Sequence, residues 1–343
     1  MKNRINLTNK NIRTDLVIDN KIKNNYINKN KINDNITITK INVNKKLSLE
    51  LNKKEGNYIT IEFEDITNHE DSEEIKKELT KELKELLKEK KITKEKTCLI
   101  VGLGNRFSTA DSLGPITIDK IIVTRHLFTL DTNVKPGIRS VASLSPGVMA
   151  NTGIETYDII TSITNKIKPD FLIVIDALAS SSIERINKTI QITDTGIHPG
   201  SGIGNNRKEI SYETIKIPVI AIGVPTVVES SIIVSDTIDY LFKHLSYIKN
   251  NYDTNKLIIN HRNTKKYLEA IKKSNLSINE KQEISGILGT MPEEKKKELI
   301  LEVLTNINYN MIVTPKEIDF LIDKLSEVIA NSINNCLHDS VNQ

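Results

Sequence analysis

Two aspartates stand where carboxylate chemistry is possible. Asp111 lies in the loop 104–111 that follows the apolar run 98–103, and Asp176 directly follows the apolar residues Phe171 to Ile175. A carboxylate at the end of an apolar run is costly unless it is hydrogen-bonded, paired or kept neutral, and groups held in this way are candidates for function. The competing explanation is that each Asp caps the turn or helix that follows it. Two carboxylates brought together do not both ionise readily, so such a pair divides into one proton-carrying acid and one base for attacking water. The sequence leaves the assignment of acid and base open. The rival chemistry uses the same groups as ligands: Asp111, Asp176 and His198 around a divalent ion that activates water.

Other chemistries lack their residues. Gly102-Leu103-Gly104 begins a dinucleotide frame, but that frame needs glycine where Phe107 stands. No Walker A lysine motif and no G-x-S-x-G elbow occurs, and the six histidines form neither H-x-x-x-H nor H-E-x-x-H. Cys98 and Cys336 form no C-x-x-C pair and read as buried or incidental thiols. These motifs imply no cofactor and no dedicated metal site. The glycine-rich stretch after His198-Pro199 reads as a loop at a site or subunit contact, which makes Asn105, His198, Gly200 and Gly202 candidates to line the site.

The elements that must position these groups are legible from periodicity. The runs 98–103, 171–175 and 219–224 are continuously apolar, as in strands covered on both faces of a parallel sheet. Helical stretches are expected over 115–127, 154–167 and 227–247, giving a doubly wound α/β core that gathers ligands beyond the carboxyl ends of its strands. Before it, 36–41 and 58–63 alternate in the manner of half-exposed strands, and the polar stretch 21–35 reads as loops. A helix with Ile75, Leu79, Leu83 and Leu86 on one face follows, with its N-cap expected at Asp71-Ser72. The last part reads as helices over 293–304, opened by Pro292, and over 315–337, with Thr314 as N-cap.

The chain has 343 residues, 38% hydrophobic, with net charge +4. That is enough to bury a substantial core. No apolar run reaches the ~18 residues of a membrane span, and the polar start has no signal-peptide apolar stretch, so a cytoplasmic protein with no membrane partner is expected. Residues 1–56 carry 13 Lys and Arg against 5 Asp and Glu. The lysines are interleaved with Asn and Ile rather than aromatics, and no nucleic-acid-binding motif accompanies them, so no nucleic acid is expected as partner. The alternative outside enzymology is a basic DNA- or protein-binding module without catalysis.

Several blocks, in order, resemble the germination protease family of spore-forming Firmicutes. They include Gly102-Leu103-Gly104-Asn105 through Asp111-Ser112-Leu113-Gly114-Pro115, Ser145-Pro146-Gly147-Val148-Met149, Asp176-Ala177-Leu178-Ala179, Ile197-His198-Pro199-Gly200-Ser201-Gly202 and Gly223-Val224-Pro225-Thr226. The resemblance implies an endopeptidase that degrades small acid-soluble spore proteins at germination, in the developing spore and spore core. It implies a homotetramer whose core is similar to that of hydrogenase maturation endopeptidases, with catalytic aspartates at Asp111 and Asp176. The family has been classed both as metallopeptidase and as atypical aspartic peptidase; the aspartic type is expected here. It also implies a zymogen that cuts itself between Asp15 and Leu16, with cleavage of substrates after Glu or Asp and before a hydrophobic residue. Residues 1–15 are then a propeptide, 16–70 a β-rich extension, 71–250 the α/β catalytic core and 251–343 a mainly helical region packed on it. The sequence departs from the family where Val17 replaces Ala and where Ala110 replaces the Pro before the aspartate, which implies a less rigid loop. The resemblance carries no residue roles across 21–54.

Overall fold

A computed structural model describes residues 14–20, 22–130, 134–199, 207–250 and 264–339. The described residues divide into two compact units, the larger formed by those within 14–180, 184–227 and 314–339 and the other by 181–183, 228–250 and 264–313.

The larger unit is built on a mixed sheet. Its strands are β1 (Ile27–Lys31), β2 (Ile36–Val43), β3 (Gly56–Phe63), β4 (Cys98–Gly102), β5 (Val141–Leu144), β6 (Phe171–Ser180), β7 (Thr189–Thr193) and β8 (Val219–Glu229). They lie in the order β1-β2-β3-β7-β8-β6-β4-β5. β4 pairs in parallel with both β5 and β6, Cys98 standing opposite Val141 and Phe171. From β1 to β3, and on through β7 to β8, the pairing is antiparallel. The α/β reading therefore holds around the aspartates, and the N-terminal strands extend the same sheet.

The apolar runs are covered on both faces, as their continuity requires. On one face Ile100, Ile173, Ile175, Ile190 and Ile222 meet Ile75, Leu79 and Leu83 of helix His69–Glu89 and Ile322, Leu325 and Ile329 of helix Ile318–Leu337. On the other, Leu99, Val101, Leu172 and Val174 meet Ile160 of helix Thr156–Ile167. Odd and even residues of one strand thus enter different cores, the consequence of a two-residue side-chain period. A third cluster joins Val17 to Ile41, Val43, Leu47 and Tyr58. Both cysteines are free and buried, and burial pushes the Cys336 thiol up to about 12.

Several boundaries differ from those expected. Asn68, not Asp71, caps the first long helix by accepting from the Asp71 N–H at 3.1 Å, which leaves Asp71 to accept from Asn35 Nδ2 at 2.9 Å. The polar stretch 21–35 contains β1, a lysine-bearing edge strand that needs only β2 as a partner and so shows no alternating apolar face. The helical stretch at 115–127 separates into Leu113–Asp119 and Arg125–Thr129. Thr314 caps nothing: its hydroxyl donates to the Thr226 carbonyl at 2.8 Å, and the helix starts at Ile318.

The second unit contains helices Ser230–Asn250, Thr264–Lys273, Ile278–Ser285, Ile287–Thr290 and Glu293–Asn306. Glu293–Asn306 packs on Ser230–Asn250, where buried Lys296 pairs with Asp239. Val228 and Glu229, the last residues of β8, pair here with β9 (Ile312–Val313).

Candidate functional site

The chain leaves β4 at Gly102 and doubles back at Gly104, whose φ of +110° lies in the region that favours glycine. A Cβ there would stand 2.1 Å from the Asp111 carbonyl oxygen, so only glycine admits the fold-back. The Asn105 N–H then reaches both the main-chain oxygen and Oδ2 of Asp111, each at 2.9 Å. Asn105 Oδ1 accepts from the Phe107 N–H at 3.1 Å and from Asn151 Nδ2 at 3.0 Å, joining the loop to the 149–152 turn. The rigidity expected to be lost with Ala110 has another source, because the Thr226 hydroxyl donates to the Ala110 carbonyl at 2.6 Å. The close helix approach that Phe107 denies is supplied further on by Gly114, where a Cβ would meet the Leu103 oxygen at 2.2 Å.

Asp176 is 5% exposed near the middle of β6 and accepts from the Ala177 N–H at 3.0 Å. Burial raises its pKa well above the ordinary carboxylate value, and the negative charges of Asp111 and Asp15 push it further. Asp111 is also raised by burial, against the opposing effects of the Asn105 N–H and the Arg207 cation. The two aspartates thus form one electrostatic unit, and Asp176 is the member more strongly driven to hold its proton.

Segment 14–20 lies against β6 beside this pair. Asp15 exchanges hydrogen bonds with Ala179: the Asp15 N–H donates to the Ala179 carbonyl at 3.1 Å, and the Ala179 N–H donates to Asp15 Oδ2 at 2.9 Å. The segment is anchored by Asp19, which pairs with Arg185 at 2.9 Å and accepts from the Ser180 hydroxyl at 3.0 Å. Leu16 and Val17 are fully buried.

His198 is not joined to the aspartates as a ligand set. Its Nε2 meets Glu209 at 2.6 Å, and among the described residues no three His, Cys, Asp or Glu side chains converge to hold a metal. Gly200 and Gly202 lie outside the described residues. Sequence reasoning missed Arg207, whose charge acts on both aspartates, and the Ala179 backbone, which has no side-chain signature to find. It also missed Lys53 and Gln191, which contact segment 14–20. Among the described residues no helix is long and apolar enough to cross a membrane.

The sequence profile of the germination protease family matches residues 6–343. The chain belongs to the germination protease family. It is 43% identical to the germination protease of Bacillus velezensis over 97% of this chain and 95% of that one. It is 46% identical to that of Bacillus cereus strain AH187 over 90% of this chain and 86% of that one. Among solved structures, the NiFe hydrogenase maturation protease HycI from Thermococcus kodakarensis aligns over 38% of this chain and 75% of its own, at 17% identity and a TM-score of 0.24. Family membership makes the chain a peptidase, and Asp111 and Asp176 are its candidate catalytic groups.

Proposed function

We propose that this chain is a sequence-selective endopeptidase that initiates degradation of small acid-soluble spore proteins, cutting after Glu or Asp and before a hydrophobic residue. It is made as a zymogen that cuts its own chain between Asp15 and Leu16, and it works as a homotetramer of the aspartic type. The observation that carries this reading is the environment of Asp176. That carboxyl is buried and driven to keep its proton beside Asp111, with the chain's own acidic residue Asp15 next to it and a buried Leu16 following.

The chemistry follows from the asymmetry of the pair. Asp111, the less strongly raised member, takes a proton from the attacking water; Asp176 holds the proton that the leaving nitrogen needs. Raised carboxyl pKa values suit work near neutral pH, where ordinary carboxylic acids have no proton to give. In the uncut chain Asp15 holds the Ala179 backbone of β6 beside the pair, which supports self-inhibition before the cut.

The test is mass spectrometry of a peptide containing Glu-Phe-Ala after incubation at neutral pH with the protein beginning at Leu16, with its Asp176→Asn variant, and with chelator. Cleavage after Glu that survives chelator and vanishes in the variant is the expected result. Loss with chelator and recovery with added metal would reassign Asp111 and Asp176 to metal ligation.

A further inference from the structure

The Asp15 carbonyl oxygen is held more heavily than its place in the backbone requires. Lys53, at the end of the turn before β3, donates from Nζ to the Thr14 carbonyl at 2.8 Å and to the Asp15 carbonyl at 3.2 Å. Gln191, on β7, donates from Nε2 to the same Asp15 oxygen at 3.4 Å. The other end of that amide, Oε1, accepts from the Val17 N–H at 2.8 Å. One side chain therefore brackets the Asp15–Leu16 bond, touching the carbonyl before it and the N–H one residue beyond it. Gln191 is 6% exposed, and its neighbours Leu16 and Val17 are fully buried. An ammonium in such a place loses hydration, and burial lowers the Lys53 pKa while Asp15 and Asp19 oppose that fall. Satisfying a neutral carbonyl needs only one neutral donor. A cationic and an amide donor on one carbonyl oxygen match a site where negative charge develops.

We propose that Lys53 and Gln191 are the oxyanion-holding groups of this peptidase, acting on the carbonyl of the acidic residue that precedes the cut bond. The inference rests on the reading that the chain cleaves itself between Asp15 and Leu16. In that step a water oxygen bonds to the Asp15 carbonyl carbon, and the carbonyl π pair moves onto its oxygen, where Lys53 and Gln191 hold it. The water proton passes to the ionised aspartate. The oxyanion then collapses, the bond to the Leu16 nitrogen breaks, and the protonated aspartate supplies that nitrogen with a proton. The products are the new carboxyl of Asp15 and the amine of Leu16. A substrate strand that takes the place of segment 14–20 on β6 presents its own acidic residue to the same two donors. Lys53 lies in the stretch over which the family resemblance carries no roles, so the assignment rests on geometry.

The experiment compares the full chain and its Lys53→Met, Lys53→Arg and Gln191→Met variants by intact-mass time courses of self-cleavage. The same substitutions are placed in the protein beginning at Leu16 and assayed on a Glu-Phe-Ala peptide. Removing a donor to an oxyanion costs roughly a hundredfold or more in kcat, so Lys53→Met is expected to slow both reactions by about that factor. KM stays close to wild type, because the oxyanion exists only in the transition state. Lys53→Arg keeps a cationic donor and recovers most of the rate. Gln191→Met slows both reactions as well, and it carries the test if Lys53→Met does not fold. Wild type that cleaves while Lys53→Met and Gln191→Met cleave equally fast overturns the inference alone, as does a loss confined to KM. Wild type that cleaves neither itself nor the peptide overturns the peptidase reading beneath it.

Discussion

The Ala179 N–H donates to the carboxylate of Asp15 at 2.9 Å, and the Asp15 N–H donates back to the Ala179 carbonyl at 3.1 Å. β4 ends opposite Ile175, so this part of the β6 edge lies beyond its partner strand. Segment 14–20 is thus held to β6 by one main-chain hydrogen bond, with an acidic side chain caught by a backbone N–H.

Recognition of that carboxylate is testable on the intact chain. Asp15→Ala removes a hydrogen bond to a charged group, worth about 1.5 to 3 kcal/mol, so self-cleavage at this bond is expected to slow by roughly ten- to a hundredfold. Asp15→Glu keeps the charge and should stay within a few-fold of wild type. An N-terminal mass time course reads both.

Asp176 makes a prediction about stability. Its pKa in the folded protein lies well above the ordinary 3.8, so the folded state binds the proton more tightly than the unfolded chain does. Stability from this group is fully present below the unfolded pKa and is lost as pH rises through the folded one. Asp176→Asn should therefore melt higher than wild type near neutral pH, with the difference disappearing in acid. Thermal melts across pH check the sign.

Arg207 lowers the pKa of both aspartates. Arg207→Gln removes that positive charge without touching the pair itself. Both limbs of the pH profile of kcat/KM are expected to move to higher pH, because base and acid each become harder to ionise. An unchanged profile would mean that the Arg207 charge does not reach the site.

Gly104→Ala places a Cβ at 2.1 Å from the Asp111 oxygen on a backbone with φ of +110°. The loop must shift, at a cost of about 1 to 3 kcal/mol, and Asp111 moves with it. The expected outcome is a modest fall in melting temperature with a much larger fall in kcat. Thr226→Val, which frees the Ala110 carbonyl, should act in the same direction more weakly.

The sequence announces some of this site and conceals the rest for physical reasons. Asp176 stands out because a charge ends an apolar run, and Asp111 because it lies in the loop that follows one. The strands around them are readable because burial on both faces forces continuous apolar runs. Gln191 is hidden because Thr189-Ile190-Gln191-Ile192-Thr193 alternates like a strand with one face in water, yet all three polar residues are buried. The cover over Gln191 comes from Leu16 and Val17, more than 170 residues earlier in the chain. Lys53 is one lysine in a lysine-rich stretch, and nothing local marks it as the one that turns inward. β1 has no apolar face to betray it, and His198 spends its imidazole on Glu209, a partner that spacing does not suggest.

The central claim is that Asp111 and Asp176 act together in cutting after an acidic residue. Its most direct test is intact mass spectrometry of the full chain at neutral pH over time, beside Asp111→Asn, Asp176→Asn and the double variant. The account predicts a cut between Asp15 and Leu16 in wild type, a loss of roughly a hundredfold or more in either single variant, and no further loss in the double variant, because the pair works as a unit. Cleavage of that bond at wild-type rate in Asp176→Asn would contradict it.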